Sequence, residues 1–330
     1  MKRILLTSDK NYYKANLHCH STNSDGKMTP EEVKAHYKAN GYCVVAYTDH
    51  EHLIDNSYLN DEQFLTITSC EIAIKDGPAN LRPSTNHLMK VCHLNLYAKN
   101  PGNIDTPCYN PLFDYHGSAE AMAKVYHSCE PYERIYGSEG ISEIIDIANK
   151  NGFLVCYNHP VWSLENAVDY LGYKGLWGVE IYNHSSSDEG RFEYNINTYD
   201  DFLRSGQKIA CVATDDNHNI KNACGGWIMI NSEQFSYDAI IDALEKHNFY
   251  ASTGPVIKEL YIENDKAYLT FEKGDYAVMS TKGRRVSKKM AENPNGENKV
   301  EFEILPSDGY IRFDVADKCG KRANTSAYFI

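Results

Sequence analysis

The sequence predicts an α/β fold with a mainly parallel sheet, open or closed as a barrel, followed by a small antiparallel β domain. Three observations predict it. Strand-like apolar runs alternate with helical segments over the first two-thirds of the chain. Nearly every one of those strands ends in a His, Asp or Glu. After Gly254-Pro255 the texture changes to short alternating runs such as ELYIE, AYLTF, VEFEI and YIRFDV, separated by Gly, Asn, Asp and Lys turns. Repeated strand–helix units favour parallel strands, because each helix carries the chain back to the same edge of the sheet.

The elements follow in order. Tyr13 to Leu17 reads as a strand running into His18. Thr29-Pro30-Glu31-Glu32 opens a helix, with Thr as cap, Pro in the first turn and acids suited to the helix dipole. That helix ends near Gly41, and CVVAYT (Cys43 to Thr48) is a buried strand. Phe64 to Ile72 and His87 to Ala98 are two more strands. Residues 99–140, rich in Pro, Gly, Asn and Tyr, read as an insertion or lid with one short helix. A helix from Ile141 to Lys150 stops at Asn151-Gly152. Strands from Phe153 to Pro160, Leu176 to Asn183 and Lys208 to Asp216 follow, with helices ending at Ser205 and spanning Asp238 to His247. The expected division is a barrel-like portion over 1–255 and a β portion over 256–330.

Bulk properties narrow the function. A net charge of −12 over 330 residues argues against a nucleic-acid backbone as partner, though not against a small anion met by bound cations. No run approaches the roughly 20 apolar residues of a membrane span, and MKRILLTSDK is too short in apolar residues for a signal peptide. Ten cysteines lie scattered without CxxC pairs and read as reduced thiols in a cytoplasmic protein. Cys43, Cys70, Cys92, Cys156 and Cys211 sit in apolar runs and read as core residues.

The strand ends carry His18 and His20, Asp49 and His50, Glu71, His93, His159, Glu180, then Asp215-Asp216 with His218. In parallel α/β folds the carboxyl ends of strands form the functional face. One such histidine would be an ordinary hydrogen-bonded residue, but so many converging without a ligand would leave costly buried polar groups. Mixed imidazole and carboxylate donors suit Zn, Mn or Fe. His18-x-His20 puts both imidazoles on one side of an extended strand and turns Cys19 away; Asp216-x-His218 repeats the spacing.

HCHSTNSDG (His18 to Gly26), YTDHEHL, Glu71, His93, NHP and TDDNH, in that order, resemble the polymerase and histidinol phosphatase (PHP) family of metal-dependent phosphoesterases. The resemblance spans Tyr13 to Pro255, with GGWIMI and YASTGP as its closing segments. It implies a distorted (β/α)7 barrel holding two or three divalent transition-metal ions. His18, His20, Glu71 and Asp216 would hold one ion. Glu71 would bridge to a second held by His93 and His159, and Asp25, His50 and His218 would hold a third.

Other residues are open to two readings. Asp49 orients a ligand or plays a structural part at a strand end. Either Asp215 or Asp216 could face inward, and the D-x-H spacing favours Asp216. His93 is preferred over His87. Glu180 and Asn183 lie near the site without an assigned role. His52, His116, His127, His184 and His247 read as surface or loop residues, with His184 nearest a substrate. Tyr109, Tyr115 and Tyr136 are candidates to line a pocket.

The expected reaction is hydrolysis of a small phosphomonoester, such as a nucleotide or sugar phosphate, by a metal-activated hydroxide. Glu71, His159 and His218 are the catalytic candidates. Arg191 is the candidate phosphate clamp, with Arg82 a weaker one and His184 beside the substrate. Two alternatives stand: hydrolysis of another ester or an amide at the same site, and a non-catalytic metal-binding or structural module. Substrate identity and oligomeric state are left open.

Overall fold

In a computed structural model, which describes residues 2–78 and 87–330, the chain begins with β1 (Arg3–Leu6) and β2 (Asn11–Asn16). α1 (Pro30–Ala39) starts as its first turn dictates: Thr29 Oγ1 accepts from the Glu32 N–H, and the Glu32 carboxylate accepts from the Thr29 N–H at 2.9 Å. β3 (Val44–Tyr47), β4 (Leu65–Lys75) and β5 (Val91–Ala98) follow, all fully buried. The next stretch is largely irregular and carries α2 (Ala119–Met122). Then come α3 (Ser138–Lys150), β6 (Phe153–Tyr157), α4 (Ala167–Tyr170), β7 (Gly178–Asn183), α5 (His184–Asp188), α6 (Ile196–Arg204) and β8 (Ala210–Thr214). β9 (Trp227–Ser232), α7 (Tyr237–Glu245) and β10 (Phe249–Ser252) complete this part.

The eight strands after Pro255 are β11 (Val256–Glu263), β12 (Lys266–Glu272), β13 (Tyr276–Thr281), β14 (Val286–Met290), β15 (Asn298–Glu303), β16 (Tyr310–Ala316), β17 (Arg322–Thr325) and β18 (Tyr328–Phe329). All their pairings are antiparallel. β11, β12 and β15 form a four-stranded sheet with β1, while β17 joins β10 and so extends the large sheet to 14 strands. The two sheets share an apolar core around Leu260, Phe271, Phe302 and Phe313.

Two expectations are corrected. The large sheet is mixed: β2–β3, β3–β4, β6–β7 and β7–β8 are parallel, but β5 runs antiparallel to both β4 and β6. β5 comes back alongside β4, and a strand that returns this way must run against its neighbour. Nor is the sheet a closed barrel: no ladder joins β8 to the far side, and the described residues hold seven α-helices. The gap is stitched just beyond the strand end. The Asp216 N–H donates to the His18 carbonyl (2.9 Å) and the His20 N–H to the Asn217 carbonyl (3.1 Å). On the other side the Thr48 N–H donates to the Cys19 carbonyl (2.8 Å).

All ten cysteines are free; Cys70, Cys92, Cys156 and Cys211 are buried and Cys43 is half-buried. No helix among the described residues is long and apolar enough to cross a membrane.

The 99–140 segment is anchored by charge. Arg134 reaches Glu51 with both terminal nitrogens, each at 2.7 Å, and its remaining donors meet the carbonyls of Ala73 (2.9 Å) and Cys108 (3.0 Å). Both side chains are essentially excluded from solvent. A buried pair gains little over an apolar substitute, but removing one partner strands the other. Arg134→Ala should therefore cost about 3–5 kcal/mol in urea unfolding, and Arg134→Met with Glu51→Leu markedly less. A cost below about 1 kcal/mol for the single change would show that the pair does not hold the segment.

Candidate metal centre

The first donors are placed by the stitch that closes the sheet. His18 and His20 lie on the extended continuation of β2, with Cys19 turned into an apolar cluster with Val45 and Tyr47. Both rings are fully buried. Their Nε2 atoms lie 3.1 Å apart. Behind them, Glu180 on β7 accepts from His18 Nδ1 at 2.6 Å, so Nε2 is the atom left for the cluster. Glu180 also accepts from the His159 N–H (3.0 Å) and Thr214 Oγ1 (2.8 Å).

The loop after His20 doubles back sharply. Gly26 lies so close to that strand that a Cβ would sit 2.4 Å from the His20 carbonyl oxygen. Asp49 accepts from Ser21 N–H (2.7 Å), Ser21 Oγ (2.8 Å) and Ser24 Oγ (2.9 Å). It therefore holds the turn that carries Asp25 rather than facing the cluster.

Glu71 is the centre. It lies within β4, not at its end, and β5 places His93 near its own beginning, opposite Ala73. The antiparallel return of β5 thus brings both donors to the same edge as the true strand ends. Glu71 Oε1 is 3.0 Å from His93 Nδ1, 3.2 Å from His159 Nε2 and 3.4 Å from His18 Nε2; Oε2 is 3.1 Å from His50 Nδ1 and 3.4 Å from His20 Nε2. Its two oxygens face different sets of imidazoles.

The consecutive aspartates face opposite ways. Asp215 accepts from the N–H groups of Cys224, Gly225 and Gly226, each at 2.8 Å, and from Tyr37. Asp216 faces the cluster, with Oδ1 3.0 Å from His20 Nε2 and 3.2 Å from His18 Nε2. Asn183 donates to its Oδ2 at 3.1 Å. The reversal requires a left-handed backbone at Asp216 (φ 52°), and His159 is likewise left-handed (φ 23°). Such conformations cost about 1–3 kcal/mol each and persist where the surroundings over-determine them.

All nine residues expected as ligands come together. They fall into overlapping groups: His18, His20 and Glu71; His18, His159 and Asp216; Glu71, His93 and His159; and His20, Asp25, His50 and His218. The first three are deeply buried and the last lies nearer the surface. Several close pairs lack hydrogen-bonding geometry: Glu71 Oε2, His93 Nδ1 and Asp216 Oδ1 are buried without a hydrogen-bond partner. Donors about 2.0–2.1 Å from a tetrahedral ion lie roughly 3.3 Å apart. The separations of 3.0–3.2 Å among His18 Nε2, His20 Nε2 and Asp216 Oδ1 are close to that spacing. The donor set fits divalent transition metals.

The cluster's protons follow from its charges. Burial alone would lower the His20 pKa, but Asp216 and Glu71 outweigh it and raise it to about 10. His159 is raised against the same burial penalty to about 9, mainly by Glu71. Burial wins at His93, which falls to about 4.

Around the cluster lies a cavity of about 550 Å³, lined also by Lys27, Phe113, Tyr115, His116, Trp162 and Asn219. Sequence reasoning read His116 and His52 as surface or loop residues; both lie in loops, but neither is at the open surface. His116 lines the cavity, while His52 is buried, bonded to Asp114 (2.6 Å) and the Asn23 carbonyl (2.5 Å). One member of each pairing, His116 opposite Asp25 and Asp114 opposite His52, belongs to the irregular segment, which has no periodicity to read. Arg191 pairs with Glu189 and lines a different cavity. His184 packs on Tyr182 and is absent from the cluster's lining, and His87 is exposed. Of the three tyrosines, Tyr115 lines the cavity; Tyr109 donates to Asp114 and Tyr136 to Glu165. His127 is exposed and stacks on Tyr109, and His247 packs beside Trp177. Arg82 lies outside the described residues.

No family model matches the chain, and no curated protein matches it. Among solved structures, it is similar to a two-domain protein from Bacteroides vulgatus containing a predicted PHP-like metal-dependent phosphoesterase. That match covers 97% of this chain and 95% of the other, at 13% identity and TM-score 0.47. A lesion-specific endonuclease from Pyrococcus furiosus is similar over 84% of this chain and 64% of its own, at 13% identity and TM-score 0.43.

Metal entry must displace the protons on His20 and His159, and on His18, whose pKa Asp216, Glu71 and Glu180 raise well above the ordinary value against burial. Adding Zn²⁺ or Mn²⁺ to metal-stripped protein at pH 7.5 in weak buffer should therefore release protons. Because the folded pKa values of all three are raised, affinity should fall steadily as pH is lowered from 9 towards 6. Proton-neutral binding, read by an indicator dye, would contradict this donor set.

Proposed function

We propose that this chain is a metal-dependent phosphoesterase that hydrolyses a small phosphomonoester, using two or three Zn, Mn or Fe ions. One observation carries the reading: nine His, Asp and Glu side chains form one cluster, seven of them lining one cavity, with Glu71 presenting separate oxygens to different imidazoles. Divalent ions held by these residues would supply an acidified water and neutralise charge on the phosphoryl group. The division into a chemical portion (1–255) and a β portion (256–330) belongs to this reading.

The chain's own residues do the rest. Glu71, fixed by Asn158 Nδ2 at 2.8 Å, belongs to two of the three deep groups and sets their relative placement. His18 is held in one tautomer by Glu180, which accepts its Nδ1 proton. His218 Nδ1 faces the Asp216 carbonyl at 3.0 Å; a carbonyl only accepts, so Nδ1 carries the proton and Nε2 is free to accept one or to ligate. At the half-buried side of the cavity, His218 serves the leaving oxygen in a two-ion site and ligates in a three-ion site. His159, deeply buried beside Glu71, acts as a ligand.

Lys27 takes the place expected for Arg191. It is the only Lys or Arg among the described residues lining this cavity, and its N–H donates to the His218 carbonyl at 2.8 Å. The paired Arg134 and Glu51 contribute little net charge to the wall. Phe113, Tyr115 and Trp162 give the cavity an apolar side suited to the organic part of a phosphate ester.

A phosphate-release screen over nucleotides, sugar phosphates, short oligonucleotides, carboxylic esters and amides tests the proposal. Chelation should abolish release, and Asp216→Ala should lower kcat/KM by about 10²-fold or more, the scale of losing one preorganised charge contact. Unchanged hydrolysis with unchanged metal content in that variant would sink the assignment. Ester or amide cleavage without phosphate release would move the reaction from phosphorus to carbon.

A further inference from the structure

We infer that His116, contributed by the 99–140 segment, is a positioning residue that completes the outermost metal group by holding Asp25. This rests on the metal reading above. Asp25 stands on a loop, half-buried, and its Oδ1 lies 3.5 Å from His218 Nε2 and 3.8 Å from His20 Nδ1. Those separations are longer than the 3.0–3.4 Å found among the deep donors. The closest imidazole to Asp25 is none of its co-ligands: His116 Nδ1 lies 3.2 Å from Oδ2. Donation there leaves Oδ1 turned towards His20 and His218. The same ring stacks on His50, another member of the group, with centroids 4.3 Å apart and planes at 30°. One residue thus restrains two of the four donors.

The segment is pinned at this point by further contacts. Asp114 accepts from His52 Nε2 at 2.6 Å, and His52 Nδ1 meets the Asn23 carbonyl at 2.5 Å, two residues before Asp25. Tyr109 donates to the other Asp114 oxygen at 3.0 Å. Gly117 permits the approach: a Cβ there would lie 2.1 Å from the His52 ring and 2.7 Å from the Asn23 carbonyl oxygen. The backbone after His116 therefore rests directly against the loop carrying Asp25. A structural partner of this kind typically tunes metal affinity by about 10–100-fold.

The test is metal stoichiometry and affinity, measured by elemental analysis and calorimetry with Zn²⁺ and Mn²⁺ on the full chain. Wild type should bind three ions. His116→Ala should lose or weaken one of them by about 10–100-fold while the other two stay within twofold. Asp25→Ala should lose the same ion. His116→Asn, whose amide nitrogen can stand near the Nδ1 position, should restore much of the affinity, and Gly117→Ala should weaken that ion with His116 present. Loss of one ion in His116→Ala with rescue by Asn supports the inference. Retention of all three ions in His116→Ala, with loss of one in Asp25→Ala, overturns it and leaves the metal centre standing. No metal bound by wild type would overturn both.

Discussion

The structure depends on one buried carboxylate. Glu71 is almost wholly removed from water and faces imidazoles from β4's neighbours on both sides and from the closing stitch. Burying a negative charge in this way is prohibitive unless positive charge or hydrogen bonds surround it. Much of the local architecture can be understood as meeting that demand. Histidines arrive from the continuation of β2, from the turn after β3, from β5 and from the turn after β6. Asn158 supplies the one neutral donor. A cation shared between these groups would replace protons that otherwise have to be held there.

Three buried acids brace the donors from behind. Glu180 accepts from His18 Nδ1 and the His159 N–H, while Asp49 behind the Ser21–Ser24 turn and Asp215 behind the Cys224–Gly226 turn are hydrogen-bonded away from the cluster. Each fixes a loop by accepting backbone or side-chain donors, the arrangement that orients ligands in metal sites. The Asp215-Asp216 pair separates the two tasks within one dipeptide: the first residue secures the loop and the second faces the donors.

The candidate donors were legible in the sequence because they stand in short strand-bounded motifs that resemble a known family, with period-two spacing at His18-x-His20. The strand and helix segments were legible from their apolar runs, and α1 announced itself through Thr29 and Glu32. Strand direction was not. Nothing in VCHLNLYA distinguishes a parallel strand from the returning β5, since both are buried on two faces and read as continuous apolar runs. The contribution of the 99–140 segment was also hidden. Its side chains act through long-range pairings, Arg134 with Glu51 and His116 with Asp25, that leave no local pattern. The burial of His52 was hidden because its partner Asp114 lies 62 residues away. Among the cations, Arg191 is neutralised by its neighbour Glu189, a pairing two residues away that sequence reasoning passed over.

The seam between β8 and the start of the sheet has one more consequence. Where a closed barrel would have a ladder of hydrogen bonds, this chain has a few backbone contacts at residues 18–20 and 216–217, and those same residues carry donors for the metal cluster. The join that completes the sheet and the donors of the cluster therefore coincide. A ligand that binds only the native state stabilises it by an amount that grows with the logarithm of its concentration once that exceeds Kd. An ion held by His18, His20 and Asp216 would thus also clasp the two edges of the sheet to each other.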